Sequence, residues 1–402
     1  MIFWMLPDNG LETAEVMEEF LKDFRLQNPD INLEVQIINR RALWTKIFTL
    51  KHDIGKEGCP DLIAFPHYWT SILATAKLLE PLKKFDKDIP IYRVLDPLFR
   101  HCFGNDTATG EVYSFPWWLD ITALHYREDH LKAVTNNPEE ALSTWQGLLD
   151  ICRTLREFYS DVEDYFPVQN SDWRGSLSHR GVLPCLWSKG AELFSADMQS
   201  SGFSSQAFQE GMQDFINLAL KGYMPILRER SSIGNISAGK SSLIITRRQN
   251  ISMFERERFK VKTLPIPRTG AKSVNYLGGM NLGILRKSKE SAAAFTLLKW
   301  LTKPEKQIVY ASKTEVFPSL DGAFENFLLA SPQRVHNYTN IIASARTLPN
   351  HIVTGAVMEI ISNIMGVVSS AILMRKYSPQ LLKLELKKAD RDVQEILRLY
   401  SD

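Results

Sequence analysis

"PDLIAFPHYWTSILATAKLLEPL", residues 60–82, decides the fold. Leu62 to Phe65 form a β-rich run, and the chain then turns through aromatic residues into a helical segment that ends near Leu82. The same alternation occurs twice upstream. "IFWML" (2–6) reads as a buried strand, and "LETAEVMEEFLKDFRLQNP" (11–29) sets Val16, Phe20, Leu21 and Phe24 on one helical face. "INLEVQII" (31–38) alternates apolar and polar residues as a strand does, and "RALWTKIFTLKHDI" (41–54) reads as a helix. The order βαβαβ implies an α/β fold with a mostly parallel sheet and helices packed against it.

Downstream of "GEVYSFPWWLDITALHYRED" (110–129) the texture changes to long helices such as "TWQGLLDICRTLREFY" (144–159), with Thr144 as N-cap. Strand-like pieces return late, in "KSSLIITRR", "FKVKTLPIP" and "NLGILR". Strands that close a sheet from distant sequence imply a discontinuous domain. The tail "SPQLLKLELKKADRDVQEILRLY" (378–400) starts a helix at Pro379 and carries Leu382, Leu386, Ala389, Val393 and Ile396 on one stripe.

At 402 residues, two lobes are expected. Lys and Arg number 48 against 46 Asp and Glu, a net charge of +2 with no long single-sign run, so no nucleic-acid surface is expected. Cys59, Cys102, Cys152 and Cys185 lie far apart and form no C-x-x-C pair, which points to free thiols. The first residues lack the basic and apolar regions of a leader, so the chain reads as cytosolic or as a mature secreted form. "AVMEIISNIMGVVSSAILM" (356–374) contains Glu359 and Asn363, and reads as a buried helix rather than a membrane span.

"GNISAGKS" (234–241) satisfies the phosphate-loop pattern G-x-x-x-x-G-K-S. That loop works only between a preceding strand and a following helix, and here a strand-like segment follows. The eight histidines show no metal-ligand spacing, and neither a nucleophile-elbow nor a dinucleotide glycine pattern occurs. Neither a cofactor nor a metal is expected. Asp120 and Asp172 could pair as glycosidase carboxylates, but lone aspartates beside aromatics more often accept hydrogen bonds from a ligand. Trp69, Trp117, Trp118, Trp173 and Trp187 each stand beside polar residues. Singly, each reads as a core or rim aromatic; together with Asp120, Asn170, Asp172 and Asn281 they suit a pocket for a sugar-like ligand.

The order of segments resembles the extracellular solute-binding proteins of the maltose-binding type, receptors of ABC importers. Residues 60–82 are similar to their strand, binding loop and helix end, with Ala76–Lys77 where a glycine is common. Residues 110–129 resemble their crossover, "STWQGLL" (143–149) the helix start after it, and "AGKSSLIIT" (238–246) a late strand. Residues 261–307 are the closest match, and "EVFPSLDGAF" (315–324) resembles a late turn. The resemblance implies a type II fold of two discontinuous lobes joined by a hinge, residues 1–112 with 262–312 and residues 113–261 with 313–402, with the ligand cleft between them. It implies cleft positions at Asp8 and Asn9, Phe65, His67, Tyr68 and Trp69, Trp117, Trp118 and Asp120, Asn170, Asp172 and Trp173, Arg247 and Asn250, and Gly278, Gly279 and Asn281; Trp187 joins them from the aromatic set.

Gly278 and Gly279 would let backbone approach a ligand closely. Arg247, Arg248 and Gln249 stand where many relatives have an aromatic, which allows a charged ligand. Residues 112–115 would be hinge backbone, with one of Trp117 and Trp118 packing in the second lobe and the other facing ligand. The function implied is capture of a saccharide by a monomeric, periplasmic or extracellular receptor that delivers it to a permease. The same fold as an intracellular sensor is the alternative, and an ATPase or glycosidase is disfavoured.

Overall fold

The computed structural model describes residues 1–7, 13–49, 58–86, 104–105, 111–170, 179–226, 232–247, 254 and 257–400. The chain forms two units. Unit 1 comprises Met1–Asp120, Gly278–Pro332 and Thr347–Gly355, and unit 2 comprises Ile121–Leu277, Gln333–Arg346 and Ala356–Asp402. Among the described residues the strands are, in chain order, β1 (Ile2–Met5), β2 (Glu34–Ile37), β3 (Leu62–Pro66), β4 (Gly104–Asn105), β5 (Val112–Arg127), β6 (Val168–Asn170), β7 (Leu243–Arg247), β8 (Val261–Leu264), β9 (Asn275–Ile284), β10 (Phe317–Pro318) and β11 (Ala345–Thr347).

In unit 1, β1 pairs in parallel with β2 on one side and β3 on the other, as the βαβαβ order requires. The far side of β3 takes β9 in antiparallel register, with Phe65 opposite Asn281 and Leu62 opposite Ile284. All five β3 residues are buried, which is why that strand reads as an apolar run instead of an alternation. Helix α1 (Thr13–Gln27) buries Met17, Phe20, Leu21 and Phe24, while Val16 is only half-buried. Phe20 meets Trp300 and Tyr310, with ring centroids 5.1 and 5.2 Å away. After β3 the chain makes a tight turn at His67–Trp69 and a short helix, Thr70–Thr75. Lys77 ends it in the left-handed conformation, φ 57°. Leu78 N bonds Leu73 O and Lys77 N bonds Ala74 O, the reversed hydrogen bonds that make glycine the usual residue at such a helix end.

In unit 2, β7 lies between β6, which is parallel to it, and the second half of β5, which is antiparallel; β8 pairs with that same half of β5. Helix Trp145–Phe158 is capped by Thr144, whose hydroxyl accepts from Gly147 N at 3.1 Å. Helices His179–Ser188 and Gln206–Leu220 cross closely, and a Cβ on Gly211 would lie 2.8 Å from Leu186 Cα. Helix Pro379–Leu399 buries Leu382, Leu386, Ala389, Val393 and Leu397; the stripe ends on Leu397 where Ile396 was expected. Helix Thr354–Leu373 is long and apolar enough to cross a membrane by length and composition, and 39% of its most apolar window is buried within the protein.

The handover between units falls at Asp120–Ile121 and Leu277–Gly278, not at the expected 112–113 and 261–262. The late crossing is at Pro332–Gln333 instead of 312–313, and Thr347–Gly355 returns to unit 1. Both early handovers lie inside strands. Leu119 of β5 pairs with β10 and Thr122 pairs with β7, so the ladder runs on with no turn or composition change to mark the boundary. The phosphate-loop pattern sits in the reverse of its working context: helix Ser232–Ser237 precedes, Gly239 turns at φ 71°, and β7 follows.

Candidate functional site

Unit 1 gathers several of the sequence-named residues around the turn after β3. Asn281 on β9 donates to Ser114 Oγ at 2.9 Å and to Thr70 Oγ1 at 3.3 Å, and those two hydroxyls lie 2.9 Å apart. Thr70 also donates to His67 O at 2.8 Å. The result is a fully buried polar knot that fixes the backbone of the aromatic turn, because buried hydroxyl and amide groups hold position only when their bonds are made. His67 Nε2 lies 2.8 Å from Thr347 Oγ1, and Ser71 Oγ donates to Asn350 Oδ1 at 2.7 Å. The nine-residue return Thr347–Gly355 is thus pinned over the turn.

Tyr68 and Trp69 are nearly buried, and their cover comes from α2 (Arg40–Thr49). Arg40 donates from Nη1 to Tyr68 Oη at 3.1 Å. Trp44 meets Trp69 at 4.7 Å and Phe48 at 4.6 Å between ring centroids, both tilted by 59°. Trp44 itself is half-buried. Sequence reasoning missed Arg40 and Trp44. Their spacing of four on one helix, directly after the capping Asn39, is the signal that could have found them.

The Trp117–Trp118 pair is placed differently from expectation. Trp117 is 1% exposed in unit 1, stacked on Tyr310 at 4.6 Å with Phe3 edge-on at 6.1 Å. It packs in the first unit, not the second. Trp118 is buried in the same unit, and neither indole N–H finds an acceptor among the described residues. Asp120 is buried at the end of the unit's first stretch of chain. A Cβ on Gly279 would lie 2.5 Å from Trp118 O, so close approach of the strands by itself requires glycine here. Gly278 lies beside it in fully buried β9.

In unit 2, Asn170 is buried at the end of β6 beside β7, and Arg247 closes β7 opposite Thr122. Trp187 is enclosed in a stack rather than presented as an open face. It lies parallel to Tyr276 at 6.2 Å, with the Arg346 guanidinium 4.9 Å from its centroid and Arg180 5.0 Å from that of Tyr276. Arg346 is itself paired with Glu192. A groove of about 450 Å³ opens between helices Trp145–Phe158 and Gln206–Leu220, and none of the sequence-named residues lines it. Within it, burial pushes the Asp214 carboxyl up, partly offset by Lys189 at 3.1 Å. Asp8, Asn9, Asp172, Trp173, Arg248, Gln249 and Asn250 lie outside the described residues, as does the separation of Asp120 from Asp172.

His130 Nδ1 lies 2.8 Å from Ser242 Oγ, its ring stacks on Tyr159, and burial pulls its pKa down to about 4. Ser242 is fully buried and also bonded to Tyr165, so this serine–histidine contact has no access for a substrate. Burial likewise raises the pKa of the Cys152 and Cys185 thiols; Cys59 is half-buried, and Cys102 lies outside the described residues. Among the described residues no group of three or more His, Cys, Asp or Glu is placed to hold a metal ion.

The model of a family of bacterial extracellular solute-binding proteins matches residues 18–340. No curated protein matches the sequence. Among solved structures, the chain is similar to an ABC transporter solute-binding protein from Thermotoga lettingae bound with α-D-tagatose, at 19% identity and TM-score 0.82, covering 98% of each chain. It is similar to the GacH receptor of Streptomyces glaucescens, solved with acarbose, at 16% identity and TM-score 0.83, again covering 98% of each. The maltotriose-binding protein of Thermus thermophilus matches at 17% identity and TM-score 0.79, covering 99% of this chain and all of the other.

Proposed function

The chain belongs to the bacterial extracellular solute-binding proteins, and from that premise we propose that it is the saccharide receptor of an ABC importer, acting outside the cytoplasmic membrane. The observation that carries this reading is the match along almost the whole chain to receptors whose bound ligands are tagatose, acarbose and maltotriose. The chemistry of unit 1 supports it. A buried polar knot fixes a turn of aromatic residues, and apolar faces with a few oriented polar groups are what a polyhydroxylated ring requires. Its role is capture and delivery to permease subunits, without chemical change to the ligand.

Isothermal titration against a panel of mono- and oligosaccharides tests the reading. At least one is expected to bind with micromolar affinity, about −8 kcal/mol. Absence of heat across the panel, with no sugar carried through purification, would refute the saccharide assignment. Hydrolysis of a bound sugar during incubation would refute the purely receptor role.

A further inference from the structure

Arg40 and Trp44 stand four residues apart on α2, so their side chains lie one above the other on one helix face. Trp44 is the half-open member of the aromatic cluster in unit 1, whereas Trp69, Trp117 and Trp118 are buried. Its two ring neighbours meet it tilted by 59°, so neither stacks flat against it. One edge of the ring packs against buried Gly355, where an added Cβ would lie 3.7 Å from Cη2, and the ring as a whole stays half-exposed.

Beside this ring, Arg40 is half-buried and oriented by its bond to the Tyr68 phenol. That bond uses one of its five N–H groups, and among the described residues no carboxylate pairs with it. A guanidinium oriented at one edge keeps its remaining N–H pairs for a planar anion, which it binds through two parallel hydrogen bonds.

We propose that Arg40, Trp44 and Tyr68 form a subsite of unit 1 for a hexuronate residue: the Trp44 ring takes the C–H face of the sugar, and the Arg40 guanidinium takes its carboxylate. The proposal rests on the saccharide reading above and narrows it to acidic sugars. Stacking on Trp44 is blind to charge and contributes to any pyranose; Arg40 supplies the discrimination. A lysine at this position would keep the charge and lose the paired geometry.

The test is titration of the full chain with hexuronate mono- to trisaccharides and their neutral hexose counterparts. The wild type is expected to bind the best uronate at least about tenfold tighter than its neutral match, and Arg40→Gln to erase that preference while neutral affinity changes less than about threefold. Trp44→Ala is expected to weaken both classes by about tenfold or more, and Trp44→Phe to recover most of the loss. Thermal unfolding confirms that each variant is folded. Equal binding of uronate and neutral sugar by the wild type, or an acid preference that survives Arg40→Gln, overturns this subsite and leaves the saccharide reading standing. Failure of every sugar of both classes overturns the two together.

Discussion

Trp117 is the residue at which composition and position part company. Two adjacent tryptophans beside an aspartate read as ligand aromatics, because alternation along a strand sends them to opposite faces and one simple core cannot take both. β5 is buried along almost all of its length on both faces, so each tryptophan has cover. Alternation fixes which way a side chain points and carries no information about what lies there. Trp117 is closed in by Phe3 and Tyr310, and its truncation is therefore a stability change first. Trp117→Ala is expected to cost about 3–5 kcal/mol in a denaturant titration. Trp117→Phe keeps a six-membered ring, loses the rest of the indole and with it an N–H that finds no acceptor among the described residues, and is expected to cost clearly less, about 1–2 kcal/mol. Equal losses in the two variants would show that the indole N–H, and not the aromatic volume, is what the site requires. Trp44 was missed for the complementary reason: a helix residue beside a charged one looks like an ordinary amphipathic edge until its neighbours in space are known.

Elements were far more legible than residues. The patterns of β1, α1, β2 and β3 gave their type and order, because each is local: β1 and β3 are apolar runs, β2 alternates and α1 carries one apolar face. The false phosphate loop was readable for the same reason, since β-branched residues after Lys240 exclude a helix there. What no local pattern records is a polar contact between elements, such as His130 bonding Ser242 ahead of β7. That contact has a measurable consequence. His130 is held neutral by burial, with Arg127 also opposing its charge and Asp129 favouring it, so its folded pKa of about 4 lies below the usual value of 6.5. Between those values the unfolded chain takes up a proton that the folded chain refuses. Stability is therefore complete above about pH 6.5 and is lost as pH falls toward 4, by roughly 2 kcal/mol after allowance for solvent screening. Unfolding free energies at a series of pH values should show this loss in the wild type and a shallower one in His130→Gln. Parallel curves for the two proteins would show that the acid sensitivity belongs to other groups.

At the scale of the whole molecule, unit 2 is assembled from three separate stretches of chain and depends on its last one. Helix Pro379–Leu399 sets five buried apolar residues into that unit and packs on Gln206–Leu220. Tyr377 donates to Gln213 at 2.5 Å, and Gln394 bonds the backbone at Gln199 and Ser201. Burial of a large apolar side chain stabilises by about 1.5–3 kcal/mol, so five of them approach the whole net stability of an ordinary domain, about 5–15 kcal/mol. Unit 1 is built otherwise. Its sheet of β1, β2, β3 and the second half of β9, with α1 and helices Ser291–Leu301 and Pro304–Thr314, is complete by Pro332, and only the return Thr347–Gly355 comes later. A chain ending at Pro332 is therefore expected to keep slow amide exchange in β1 and β3 while amides of β7 and helix Gln206–Leu220 exchange at close to unfolded rates. Loss of protection in both units together would mean that they unfold as one cooperative body, and protection kept in both would mean that the terminal helices contribute far less than their burial implies.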